Sequence, residues 1–464
     1  MNFQELSLLV QSLILVVIPL SIIHIDDGSE RRFGWLFYSS LAAALVSFLL
    51  TMAQLIYGVS TVEIFSGTLE LNTSGYILSL AAELSTLVVL IGSQNQVRSW
   101  SARSSFISLV LLTLLGVIYL SFASNVLVVV TSWALASAAT YAISMIVKDP
   151  KSVDGGIKYL IMGIVSSSIM IFGFAFLVST TGTLSLLDPL PSSPPFLELA
   201  LIFLVVAFSF KIGAFPFHAW LPDVYTESDR IVVSFVSSVG KVIGIAALLR
   251  VLLALQLPGS ISFLSLVILS LISLGSMFFG NFVAFSRRTL SSILAFSSIS
   301  QAGFLFIGYA TLLTSTSSIA LAGIAVQTVA YVVAQAGLFL FVSYVERVKG
   351  SDEISALNGL YGANRWLAFS STILLVSLLG IPPLAGFWGK LFLFEASVNY
   401  PILLVLGLLN SAISAGYYLV IMREIFREGQ YTKVESTEVD GVHIAAVVTI
   451  LIGILAPIIF ETLV

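Results

Sequence analysis

Two stretches decide how this sequence is read: KIGAFPFHAWLPDVY, residues 211–225, and GIPPLAGFWGK, residues 380–390. Each lies in or beside an apolar run, and each sets a lysine beside helix-breaking residues. Proline removes a backbone donor and clashes with the preceding turn, so Pro216 and Pro382–Pro383 should open their helices. In lipid an opened helix is tolerated only where it is buried in protein or lines a wet cavity. Discontinuous helices at corresponding places in two halves of a chain point to a transporter's ion site. The plainer alternative is that Pro and Gly are simply commoner in membrane helices than in soluble ones.

The rest of the chain agrees that the solvent is lipid. Of 464 residues, 58% are hydrophobic and 9% charged, too few charges to cover a water-soluble particle of this size. Apolar runs of about 20 residues, long enough to cross a bilayer, recur from end to end. Net charge is −4 and no Lys/Arg run exists, which argues against nucleic acid as a partner. With no cysteine, the chain has no disulfide, thiolate-held iron–sulfur cluster or Cys-based zinc site. The three histidines are His24, His218 and His443. Two of these fall near predicted helix ends, which argues against a bis-histidine haem; no cofactor is expected in this chain. The N-terminal stretch lacks a basic region and a small-residue cleavage pattern, so it reads as a first transmembrane helix.

Breaks at Gly, Pro, Ser and charged clusters predict an all-α integral membrane protein of about fourteen transmembrane helices. They are placed near 6–25, 33–56, 75–93, 104–121, 122–147, 155–180, 195–219, 229–255, 261–282, 287–312, 316–345, 365–398, 401–426 and 440–463. Fifteen of the 20 basic residues then fall in alternate loops on one side, from Arg31 and Arg32 through Arg98 and Arg103 to Arg423, Arg427 and Lys433. The opposite loops carry acids such as Glu63, Glu70 and Asp188. This bias puts the basic loops in the cytoplasm and both termini outside; the expected location is the cell membrane of a prokaryote.

The interrupted helices are the seventh and the twelfth, five apart, so units containing them would be inverted relative to each other. The expected organisation is three N-terminal helices (1–103), a five-helix repeat (104–255), an inverted five-helix repeat (261–426) and a final helix (440–464).

Five basic residues remain inside helices: Lys158, Lys211, Lys241, Arg250 and Lys390. Each costs about 2.5–3.5 kcal/mol at mid-membrane on insertion scales, so each asks for a reason. A lysine withdrawn from water gives up its proton more readily. A unit charge about 7 Å away at an effective dielectric near 20 contributes about 2.4 kcal/mol, enough to decide whether the proton stays. A row of Lys211, Lys241 and Lys390 could thus pass a charge signal by alternating protonation. Lys158 begins a helix beside Lys148 and Lys151, and snorkelling to the interface competes with function there. Arg250 hardly deprotonates and reads as an anchor. His218 could relay protons or be a hydrogen-bonded structural residue. Asp223, Glu227 and Asp229 form an acidic cluster that could attract cations or merely be a solvated loop.

The segments KIGAFPFHAWLPDVY, SSVGK (237–241), SSISQAGFLFIGY (297–309) and GIPPLAGFWGKLFLF (380–394) together resemble the antiporter-like membrane subunits of respiratory complex I and the related Mrp-type antiporters and membrane hydrogenases. The PDVY ending and the Ser-Val-Gly-Lys approach are most similar to the subunit N type. The resemblance runs from about residue 70 to 425. It implies a proton-translocating subunit of an NADH (or other donor)–quinone oxidoreductase of the respiratory chain, holding no redox cofactor. Its partners would be the other membrane subunits, the lipid bilayer, and protons, with sodium as the alternative ion.

By the same resemblance Lys158 matches a Lys-Tyr pair on the sixth helix, Lys211 the principal lysine, Lys241 the central lysine of the eighth helix and Lys390 that of the twelfth, while His218 matches a Pro-Phe-His. Two departures stand out. A glutamate usual on the fifth helix is Ala134 here, and Gln301 stands where N-type chains often carry histidine. Glu83, in the third helix, is the mid-helix acid available to substitute for the glutamate; otherwise it is paired structurally or reached by water. Three other readings stay open: a cation/proton antiporter subunit of an Mrp or membrane-hydrogenase complex, a scaffold that has lost pumping, and a solute transporter working alone.

Overall fold

The computed structural model describes residues 3–26, 29–57, 61–190, 196–255, 259–314 and 317–463. The helices are α1 (Phe3–Ile25), α2 (Glu30–Tyr57), α3 (Thr73–Arg98), α4 (Arg103–Phe122), α5 (Val126–Ser144), α6 (Pro150–Thr181), α7 (Leu197–Ile212), α8 (Trp220–Glu227), α9 (Arg230–Ser237) and α10 (Val239–Ala254). There follow α11 (Gly259–Phe285), α12 (Leu290–Thr311), α13 (Ser317–Lys349), α14 (Leu360–Ala363), α15 (Arg365–Leu379), α16 (Ala385–Ala396), α17 (Pro401–Phe426) and α18 (Thr437–Leu463). One small hairpin, β1 (Val62–Ile64) and β2 (Leu69–Leu71), pairs antiparallel with Val62 opposite Leu71.

Among the described residues, twelve helices are long and apolar enough to cross a membrane. The expected seventh and twelfth helices are not among them, because each is divided: α7 and α8 in one case, α15 and α16 in the other. Length and composition therefore do not by themselves bring the count to fourteen. Residue 195, the expected start of the seventh helix, lies outside the described residues. The eighth helix is divided too, at Ser238, whose φ of −101° and ψ of −86° leave the helical region. No proline marks that break, and the sequence reading missed it.

The chain forms two compact units. The first comprises residues 1–87, 96–212 and 239–265, the second 88–95, 213–238 and 266–464. Two of the boundaries fall at the helix breaks after Ile212 and after Ser238. These units follow spatial packing and differ in extent from the two expected repeats.

In the first unit α4 packs on α1 and α5, α6 on α7, and α10 lies against α4, α5 and α7. Its helix α10 is buried from Val239 to Leu252 and apolar apart from Lys241 and Arg250, as befits a core helix. Lipid gives no hydrophobic drive between helices, so close backbone approach and hydrogen bonds carry the association. Gly244 of α10 allows such an approach: a Cβ there would stand 2.9 Å from Ile212 N and 3.0 Å from Lys211 Cβ. Asp149 caps α6, its side chain accepting from Lys151 and Ser152 N–H, with Pro150 at the first helical position and Gly182 closing the helix at φ +73°.

In the second unit α13 is the buried centre, packed by α9, α12, α15, α16 and α18. Gly389 and Gly323 bring α16 and α13 together; a Cβ on Gly389 would stand 2.7 Å from Gln327 Cα. The outward faces of several helices are greasy, for example Leu13 on α1, Trp35 on α2, Ile164 and Phe172 on α6 and Ile402 on α17. That surface suits lipid or a neighbouring membrane subunit.

Candidate ion-handling sites

In the first unit Lys211 is the penultimate residue of α7, and only 1% of it is exposed. Its ammonium donates to Tyr159 Oη at 2.7 Å and to Thr140 Oγ1 at 3.0 Å. The rings of Tyr141 and Tyr159 lie over it, their centroids 4.4 and 4.7 Å from Nζ. Among the described residues no carboxylate comes within ion-pairing distance. Neutral oxygens and aromatic faces therefore hold this charge, and no fixed anion does. The helix ends beside it because Gly213 adopts φ +75°, where a Cβ would also stand 2.3 Å from Leu221 Cδ1.

Lys241 is buried near the start of α10. Gly244, one turn further on the same helix face, is the residue that meets Lys211. Lys241 thus sits a single turn from the α7–α10 contact.

In the second unit Lys390 lies on α16 and is 3% exposed. Its ammonium donates to the carbonyls of Leu378 (2.9 Å) and Leu379 (3.0 Å), with Ser411 Oγ at 3.3 Å. The Phe304 ring centroid is 4.3 Å away. Those two carbonyls are among the four that the end of α15 leaves without intrahelical partners. The other two, Val376 and Ser377, accept from Gly380 N–H at 3.0 Å each. Gln301 Nε2 also donates to Leu378 O at 2.9 Å, so the residue standing where histidine is usual still reaches the same helix end. Gln301 continues to Tyr418 and Gln327, and Tyr418 to Ser297. Nearby, Ser298 and Tyr331 form a second short chain that reaches Ser237 O at the α9 terminus. A groove of about 380 Å³, lined in part by Gly380, Lys390, Leu391, Leu408 and Ser411, opens beside the ammonium.

The remaining candidates separate from these sites. Glu83 does not pair with Lys211: its Oε1 accepts from Gln11 (2.9 Å), Ser47 (2.6 Å) and Thr51 (2.9 Å), on α1 and α2. Substitution for the missing glutamate is thereby corrected, because those donors are neutral and already engage it. Ala134 lies on an exposed face of α5, about 9 Å of helix rise from Thr140. Lys158 is half-exposed and pairs with Asp154 one turn earlier at 2.8 Å, so it is no part of the buried Lys211 pocket. The residue after it, Tyr159, is the one that meets Lys211.

His218 stacks on Phe215 and packs tilted against Phe279, with centroids at 5.5 and 4.4 Å, and its Nδ1 has no hydrogen-bond partner among the described residues. The hydrogen-bonded reading fails at that nitrogen. Arg250 is an anchor as expected: Nη2 pairs with Glu70 on β2 at 2.5 Å and Nε donates to Ala123 O at 2.8 Å. Of the acidic cluster, Asp229 caps α9 by accepting from Ile231 N–H at 2.8 Å, a structural task. Among the described residues no group of three or more His, Asp or Glu is placed to hold a metal ion.

Comparison with known proteins places these features in a family setting. A sequence model described as "NADH:quinone oxidoreductase/Mrp antiporter, TM" matches residues 123–414. The chain is 31% identical to "NAD(P)H-quinone oxidoreductase subunit 2" of a Picosynechococcus species, covering 95% of this chain and 88% of that one. It is 34% identical to "NADH-quinone oxidoreductase subunit N" of Heliobacterium modesticaldum over 70% and 69% of the two. A chain of respiratory complex I from Thermus thermophilus superposes with a TM-score of 0.80 at 26% identity, covering 97% and 98%.

Proposed function

Since the chain belongs to the NADH:quinone oxidoreductase/Mrp antiporter family, we propose that it is a proton-translocating membrane subunit of a complex I-type quinone oxidoreductase. One observation carries this reading. Lys211 and Lys390 are both buried beside an interrupted helix, and among the described residues neither has a carboxylate within ion-pairing distance. A purely structural buried cation is normally paired, because an uncompensated charge in an apolar interior is costly. Here the charge rests on hydroxyls, rings and a helix end, so a charge appearing or vanishing nearby decides whether the proton remains.

Lys211, Lys241 and Lys390 are the groups that take up and release protons, and the opened helices supply the water that delivers them. The electron chemistry belongs to partner subunits, consistent with a chain that has no cysteine. The membrane is that of a prokaryotic cell in this reading, and the placement of Lys and Arg supports both termini lying outside.

The test is proton uptake per electron pair by the intact complex in sealed vesicles, native against a Lys211→Met/Lys390→Met double variant with assembly checked. A fall in coupled uptake supports the proposal. Unchanged stoichiometry at unchanged electron flux makes this subunit a non-pumping scaffold.

A further inference from the structure

The three N-terminal helices contain a second buried titratable group that the lysine sites do not use. Glu83 is fully buried, and three neutral donors, Gln11 of α1 and Ser47 and Thr51 of α2, converge on its Oε1. Its other oxygen, Oε2, has no hydrogen-bond partner among the described residues, nor does Gln11 Oε1. The same holds for Ser7 Oγ, Gln54 Oε1, Ser79 Oγ and Thr86 Oγ1, all of them buried. These residues recur at helical spacing, 7 and 11 on α1, 47, 51 and 54 on α2, 79, 83 and 86 on α3, so each helix contributes one polar face.

Buried polar atoms left without protein partners are satisfied by water where there is room. The seam has a direction. Gln54 lies three residues from Tyr57, the end of α2, and donates to Gln4 O near the start of α1. Glu83 lies ten residues into α3, about 15 Å along its axis and half of a hydrocarbon core about 30 Å thick. Beyond Thr86, α3 continues as Leu87-Val88-Val89-Leu90, and α1 beyond Ser12 as Leu13 to Leu20 with no hydroxyl or amide. The polar seam thus runs from one membrane face to mid-depth and ends within a turn of a carboxyl.

The groups facing Glu83 from α1 and α2 are neutral. The charged residues of these three helices and the histidine, Glu5, His24, Glu30, Arg31, Arg32 and Arg98, lie in the first or last turns, and among the described residues no cation pairs with Glu83. We propose that Glu83 is a proton-exchange site at the blind end of a hydrated half-path through α1, α2 and α3, separate from the lysine sites. A proton passes from a hydronium ion in the seam to Oε2, neutralising the carboxylate and leaving water; release returns it to water in the same seam. The reaction is a reversible exchange with one face of the membrane.

Two measurements on the assembled complex in its membrane test this, and neither depends on turnover. Dicyclohexylcarbodiimide modifies protonated carboxyls in apolar surroundings, and the adduct is located by mass spectrometry. The expected adduct is on Glu83, absent in Glu83→Gln, falling about tenfold per pH unit once the carboxyl is mostly ionised and indifferent to sodium. No adduct at any pH overturns the proposal, and so does suppression by sodium at constant pH, which would make this a sodium site. The chain has no cysteine, so single cysteines report water access cleanly. Ser79→Cys should be blocked by silver ion before alkylation under denaturing conditions, while the buried neighbour Leu78→Cys should not. Equal protection of both positions from silver means a dry seam and overturns the half-path. The lysine variants above bear on neither readout, so the two proposals fail separately.

Discussion

Lys390 Nζ donates to the Leu378 carbonyl at 2.9 Å, across the break that separates α16 from α15. A lysine that caps a helix terminus meets the negative end of the helix dipole, which is how a cation is held at mid-membrane with no acid beside it. Lys211 caps no helix terminus and is held instead by Tyr159, Thr140 and two ring faces.

The α15 terminus makes Gly380 critical. Its φ is +91°, and a Cβ would stand 2.9 Å from Lys390 Cδ. Gly380→Ala should therefore cost about 1–3 kcal/mol of stability and displace the ammonium from Leu378 and Leu379. Thermal unfolding of the purified complex and coupled proton uptake should both fall. Retention of both would show that the cap is dispensable.

At the sixth helix the neighbouring residues Lys158 and Tyr159 should behave oppositely. Tyr159→Phe removes a hydrogen bond to a charged group, a loss of about 1.5–3 kcal/mol, and proton uptake should slow about tenfold to a hundredfold if that loss falls on the transfer step. Lys158→Gln breaks an exposed pair with Asp154 worth about 0.3–0.5 kcal/mol, and proton stoichiometry should not change. Stopped-flow measurement with a pH-sensitive dye in vesicles reads both.

Arg250 and Glu70 make a prediction about assembly. Removing one member of a buried pair leaves the other uncompensated, at a cost of about 3–5 kcal/mol. Arg250→Met should lower the amount of assembled complex seen on native gels. The complex that does assemble should keep its protons per electron pair, because this arginine holds β2 and α4 ends and carries no proton.

Asp229 gives a pH dependence. Burial pushes its carboxyl up to about 6, against the Ile231 N–H and the Arg230 charge, which pull it down. A folded value above the unfolded one favours the folded state at low pH, and that contribution is lost as pH rises through about 6. Asp229→Asn keeps the capping oxygen and removes the charge. The variant should melt above the native protein at pH 7.5, and the gap should close as pH falls toward 4.5. A constant gap across that range would count against the burial argument.

Much of this protein is determined by its sequence alone. Apolar runs of bilayer length, the sparse charges and the alternation of basic loops specify a multi-helix membrane protein, because in lipid only helices and closed barrels satisfy the backbone, and continuous apolar runs of about 20 residues suit helices. Proline and glycine beside lysine mark two interruptions, since their effect on the helix is local. The break at Ser238 carries no proline in SSVGK, and it is the folded backbone, with Ser238 at φ −101° and ψ −86°, that shows α9 ending there. Nor could the sequence say who meets whom. Tyr159 rather than Lys158 faces Lys211, and Glu83 turns to Gln11, Ser47 and Thr51 rather than to a lysine. These partnerships join residues 32 to 72 positions apart, on faces set by how helices rotate and pack, a property of the tertiary structure that no local pattern encodes.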